Sequence, residues 1–96
     1  MKVKNINGTS ANICKCGTWL EHWKKFSNQH LPGSCPVANC TQKPEVGAHV
    51  QKDSSTDSSW YIVPFCKAHN AEKGKSLFIS DSITLVSANV SITCGK

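Results

Sequence analysis

Apolar residues fall along this chain in short separated runs, and the period of each run predicts an element. Trp19, Leu20, Trp23 and Phe26 recur at helical spacing, with Glu21, His22, Lys24 and Lys25 on the other face. Thr18 can cap that helix, and Glu21 three residues on completes a capping box. The pattern predicts a helix from residue 18 to about residue 28 whose aromatic stripe belongs to the core. Residues 29–36 are turn-like, through Leu31-Pro32-Gly33-Ser34 and Cys35-Pro36. Residues 45–50 are a short strand candidate, and residues 52–59 (KDSSTDSS) a polar hairpin loop. Residues 60–65 (WYIVPF) carry the strongest strand signal, with Pro64 marking an edge or an exit. Residues 67–73 read as a short helix that Gly74 terminates. Residues 77–79 and 83–92 are β-like on either side of a turn at Asp81-Ser82, and residues 1–13 read as an irregular or weakly extended arm. That order predicts an α+β fold. The 96 residues suffice for one domain and not for two.

Composition changes this picture through cysteine. Apolar residues make up 39% of the chain, too many for a disordered tail. Six cysteines in a chain of this length need a chemical explanation. An even number allows three disulfides in a secreted protein. Residues 1–10, however, place no apolar run behind Lys2 and Lys4, so nothing there resembles a signal peptide. No stretch approaches the length of a membrane span. The expectation is a reducing cytoplasm, no membrane association, and cysteines that hold a metal.

The cysteine spacing supports this. Cys35-x4-Cys40 brings two thiolates together across a short loop, and Cys66-x2-His69 brings a thiolate and an imidazole together at the start of a helix. Three Cys and one His complete a closed tetrahedral set suited to structural Zn²⁺. A cysteine loop, a β-hairpin and a helix whose first turn supplies the last ligands is a treble-clef layout, in which the positive end of the helix dipole favours ionised thiols. Cys14, Cys16 and Cys94 remain. They are either free thiols or part of a second zinc site completed by His22, His30 or His49.

The run Glu45-Val46-Gly47-Ala48-His49-Val50, followed by Trp60 to Gly74 (WYIVPFCKAHNAEKG), resembles the ββα-metal core of HNH-type endonucleases. In that family a hairpin strand carries a histidine in a pattern such as "DHI" or "AHI", and a second strand leads into "LCxxCHNxKG". Ala48-His49-Val50 matches the first pattern. His69 takes the place of the family's second zinc cysteine, Asn70 that of its helix histidine, and Lys73-Gly74 keep the ending. Cys35 and Cys40 match the outer pair of zinc-bearing members. The resemblance covers about residues 35–75. It implies a small zinc-stabilised treble clef (an HNH-like ββα core) with an N-terminal helix and extra C-terminal strands. It implies His49 as a general base activating water against a phosphodiester, with Asn70 helping to hold Mg²⁺. Ala48 stands where an acidic metal ligand can occur, so further oxygen donors would have to come from Asp53 or Asp57. The alternative for His49 is a buried histidine bonded to a backbone carbonyl, or a ligand of the second zinc. The two ends of the chain, CxCGxWLxHW and SANVSITC, resemble small bacterial or phage proteins of uncharacterised activity.

Charge selects among functions only weakly. The net charge is +5, all of it from eleven lysines with no arginine. Lysine supplies phosphate attraction, whereas base-edge readout leans on arginine. Three functions follow as expectations. One is a zinc module binding DNA, RNA or a protein partner. Another is a metal-dependent HNH-type nuclease using His49, and the third is a phage or mobile-element inhibitor of a host protein. The partner and the oligomeric state are not legible in the sequence.

Overall fold

A computed structural model describes residues 1–6, 17–53, 56–57 and 59–88 of the chain. Its elements are β1 (Lys2–Asn5), α1 (Trp19–Phe26), β2 (Val46–Lys52), β3 (Tyr61–Phe65), α2 (Lys67–Asn70), β4 (Ser76–Phe78) and β5 (Val86–Ser87). The five strands form one sheet in the order β4-β1-β2-β3-β5, every pair antiparallel. This is a small α+β fold. Among the described residues, no helix is long and apolar enough to cross a membrane.

The largest departure from the sequence reading lies at the start of the chain. Lys2–Asn5 is not an irregular arm but an interior strand between β4 and β2. Its residues alternate exposed and buried, with Val3 and Asn5 inward. Four residues are too few to show that period by themselves, and the pairing that fixes the strand comes from residues 50–52 and 76–78. The same pairing draws β2 out to Lys52, past the residue where the apolar pattern ends. Pro64 is tolerated because β5 reaches only Tyr61 and Ile62, leaving the Pro64 end of β3 with a single neighbour strand.

Side chains on the sheet divide between two faces. His49, Ile62 and Val86 are opposite one another across β2, β3 and β5 and share the face that α1 covers. Helix α1 begins after Thr18, whose side chain accepts a hydrogen bond from the Glu21 amide. Trp23 is fully buried, and its Nε1 donates to the Thr84 carbonyl at 2.8 Å. An aromatic of this size removes roughly 150–250 Å² from water, worth about 4–6 kcal/mol at about 25 cal/mol per Å². His22, on the polar side in the sequence reading, is fully buried too, with Nε2 2.8 Å from the Ser87 carbonyl. It lies three residues from Trp19 and four from Phe26, so its ring extends the buried stripe; Trp19 and Phe26 each lie 5.1 Å from it. The opposite face of the sheet carries Val3, Asn5, Ala48, Val50 and Val63, and α2 packs over it.

Candidate metal centre

Two segments with little regular structure carry the sulfur and nitrogen donors, and each is shaped by its backbone. In the first, the Cys35 amide donates to the Gln42 carbonyl at 2.7 Å and the Cys40 amide to the Val37 carbonyl at 3.0 Å. Asn39 closes this loop in the left-handed region, φ 64°, a conformation asparagine tolerates better than most residues. The loop is tied to the sheet by a bridge between Val37 and Ile79 and by the Ala38 amide donating to Phe78. In the second segment, Cys66 is the N-cap of α2, and its sulfur accepts from the His69 amide at 3.4 Å.

These segments converge. The Sγ atoms of Cys35, Cys40 and Cys66 and a ring nitrogen of His69 all lie within 4.8 Å of one another. Cys66 Sγ is 3.2 Å and Cys35 Sγ 3.7 Å from His69 Nδ1, and Cys40 Sγ is 3.9 Å from Cys66 Sγ. A tetrahedral ion bonded at about 2.3 Å to sulfur and about 2.0 Å to nitrogen implies donor separations of roughly 3.8 Å between sulfurs and 3.5 Å from sulfur to nitrogen. The two sulfur-to-nitrogen separations bracket 3.5 Å and the sulfur pair at 3.9 Å lies close to 3.8 Å, whereas a disulfide needs about 2.05 Å. Cys35 and Cys66 are buried and the other two are half-buried. Burial pushes the Cys35 thiol up to about 11, and the Cys66 sulfur adds to the rise against the backbone amides of Cys66 and Val37. A thiol raised in this way stays protonated until a divalent cation offsets its charge. The group could therefore hold a metal such as zinc. Helix α2 is a single turn, so the polar support for the Cys66 sulfur is the His69 amide rather than a long helix dipole.

One contributor has no local sequence signal. Asn5, fully buried on β1, directs its Nδ2 at the carbonyls of His69, Asn70 and Glu72, at 2.9, 3.1 and 3.1 Å. Its own backbone binds the same turn, with the Gly74 amide donating to its carbonyl and its amide donating to Lys75. The metal-bearing turn is thus held from behind by the first strand. The same contacts end α2 at Asn70, where the sequence reading continued to residue 73, because the last carbonyls are claimed by a side chain and Gly74 turns left-handed at φ 83°.

His49 is not part of the sulfur cluster. Its ring is buried edge-on between Trp19 at 4.8 Å and Trp60 at 6.1 Å. Burial above all, then the charges of Lys73 and His22, lowers its pKa to about 4. Since that lies below the ordinary value of 6.5, the unfolded chain takes up a proton first as pH falls. The stability owed to the neutral ring is complete above about pH 6.5 and disappears between there and about pH 4, a contribution of about 3 kcal/mol. An NMR titration is expected to give His49 a midpoint near 4, and His49→Gln to lose less stability than the wild type on going from about pH 7 to pH 5. A midpoint close to the ordinary value would show that the ring is not held neutral.

The remaining sequence candidates are placed as follows. Asn70 ends α2, and its Oδ1 accepts from the Lys73 ammonium at 3.1 Å. Asp53 pairs with Lys2 at 3.4 Å. Asp57 pairs with Lys52 at 3.4 Å and accepts from the Tyr61 hydroxyl at 2.5 Å, which holds its carboxyl far below the usual range. His30 is exposed. Cys14, Cys16 and Cys94 lie outside the described residues, and so does any second metal site they would build. Compared with protein-family models, with curated proteins and with solved structures, the chain finds no match, so the reading of this centre rests on its own geometry.

Proposed function

We propose that this chain is a small zinc-binding module of treble-clef, HNH-like build that binds nucleic acid and does not cut it. The observation that carries the first half is the set of donor separations among Cys35, Cys40, Cys66 and His69. Three thiolates and one imidazole leave no open coordination position, which makes the metal structural rather than catalytic. The chain order of cysteine loop, β2–β3 hairpin and short helix with Cys66 at its cap supports the treble-clef reading.

The contacts of Asn70 favour binding over cleavage. In an HNH-like nuclease its side-chain oxygen would face a divalent cation, and here that oxygen accepts from the Lys73 ammonium. Asp53 and Asp57, the other oxygen donors the sequence offers, are each paired with a lysine. Among the described residues the Cys35–His69 group is the one set of three or more metal-ligating side chains, which leaves a hard cation without a seat beside His49. A net charge of +5 from lysines supplies attraction for phosphates. Burial also lowers the His49 pKa to about 4, which makes the ring a weak base for activating water near neutral pH.

Native mass spectrometry is expected to find at least one zinc per chain. Mobility shifts of short DNA and RNA are expected to weaken as salt rises, and supercoiled plasmid to stay intact with Mg²⁺ or Mn²⁺. A metal-free, disulfide-bonded mass would overturn the module. Nicking that His49→Ala abolishes would replace binding by catalysis.

A further inference from the structure

We propose that the half of the sheet left uncovered by α1 is a platform for single-stranded nucleic acid, with bases stacking on Phe78 and Trp60 and phosphates held by Lys2 and Lys4. The proposal deepens the nucleic-acid reading and rests on it. Register defines the surface. Lys2 is opposite Phe78, and Lys4 is opposite Ser76 on one side and Gln51 on the other. Opposite residues in antiparallel strands share a face, so these five line the side of β4, β1 and β2 away from Val3 and Asn5. It is the face that bears His49 further along β2, and α1 packs on it over β2 and β3, with His22 reaching the Ser87 carbonyl of β5. Lys2, Lys4, Ser76 and Phe78 are all exposed.

Two observations point to an aromatic-stacking ligand. Of the exposed large apolar side chains among the described residues, Phe78 at 62% and Trp60 at 37% both belong to this region, the latter against the His49 ring at the start of β3. A phenyl ring that open, on a three-residue strand, contributes little to the core. The rings are separated by at least about 14 Å, the width of three strand spacings, so each would take a separate base. The cations lie between them. Lys4 has no carboxylate partner among the described residues, whereas Lys2 sits over the Phe78 ring at 5.4 Å and pairs with Asp53. Two lysines bracketed by two aromatics complement a backbone of phosphates with unstacked bases, and a duplex could use only the lysines. With no arginine in the chain, the platform should be tolerant of sequence.

The test titrates the zinc-loaded chain into fluorescently labelled oligothymidylate, oligouridylate and a duplex of equal length. Anisotropy is read over a range of salt. Single strands are expected to bind tighter than the duplex, and the tighter of the two names DNA or RNA as the source. Phe78→Ala is expected to weaken single-strand binding about tenfold with an unchanged salt slope. Lys4→Gln is expected to reduce the salt slope by about 0.7. Both side chains are exposed, so zinc content and melting temperature should match the wild type. Single-strand binding that survives both substitutions unchanged overturns the platform while leaving the nucleic-acid reading in place. No binding of any probe at low salt removes both. A concentration-dependent dimer dissociated by Phe78→Ala would assign the face to a second copy of the chain and likewise overturn the proposal.

Discussion

Cys66→Ser is expected to cost the fold at least about 5 kcal/mol and to lower the melting temperature by about 20 °C or more. The substitution isolates the metal. Serine is close to cysteine in size and is a favourable N-cap, so the contact from the His69 amide to the capping side chain can be kept. What it cannot supply is the third thiolate. Structural zinc contributes on the order of 10 kcal/mol to small zinc domains, comparable with the whole stability of an ordinary domain, about 5–15 kcal/mol. The segment most dependent on it is residues 27–45, which has no helix or strand of its own beyond the Val37–Ile79 bridge. Without the ion, its attachment reduces to the buried Val37 and a few hydrogen bonds, the Ala38 amide to Phe78, the Ser80 amide to Pro36, the Glu45 amide to Phe65 and the Gln29 side chain to Ser82 and Thr84. Thermal unfolding followed by circular dichroism, with and without a strong chelator, checks this. Stripped wild type and untreated Cys66→Ser should melt together, well below the zinc-loaded protein. A wild type whose melting is indifferent to chelator would mean that the four donors are neighbours without a shared ion.

The two ligand pairs are legible in the sequence because each is local. A pair five residues apart in a turn, and a pair three apart in the first turn of a helix, converge wherever the intervening hairpin carries them. The hairpin is legible for the same reason, since WYIVPF is apolar enough to be a strand in any context. What reasoning along the chain loses depends on contacts between its ends. Lys2–Asn5 pairs with residues 50–52 and 76–78, and Asn5 is disfavoured in strands, so nothing local marks it as interior. Three carbonyls 64 to 67 residues away outweigh that preference. The early end of α2 follows from the same contacts. His22 shows a different loss. A polar ring reads as surface until the Ser87 carbonyl appears as its partner, 65 residues on.

Gly47→Ala is expected to destabilise the fold by about 2 kcal/mol, or roughly 10 °C in melting temperature, although it adds a single methyl group. The glycine is needed for closeness rather than for an unusual dihedral. A Cβ on Gly47 would lie 2.4 Å from the Trp19 carbonyl carbon, 2.6 Å from the Leu20 nitrogen and 2.7 Å from Trp19 Cβ. Two of those three are backbone atoms in the first turn of α1, so no rotamer change relieves the clash. The helix has to lift from β2, carrying Trp19 off the His49 ring and loosening the buried Trp23. Overpacking of this kind typically costs about 1–3 kcal/mol, against which alanine regains at most about 1 kcal/mol by restricting the unfolded chain. Backbone closeness makes the upper end of the cost the relevant one. Gly33→Ala is the matched control, because a Cβ there meets nothing within 4 Å; it should be neutral or slightly stabilising. The contrast also separates the two halves of the molecule. Gly47 lies on the α1 face, whereas the turn that carries Cys66 and His69 is held by Asn5 from the other face, so Gly47→Ala should retain its zinc under native conditions while melting earlier. Equal melting of Gly47→Ala and wild type would mean that α1 does not approach β2 as closely as the backbone distances state.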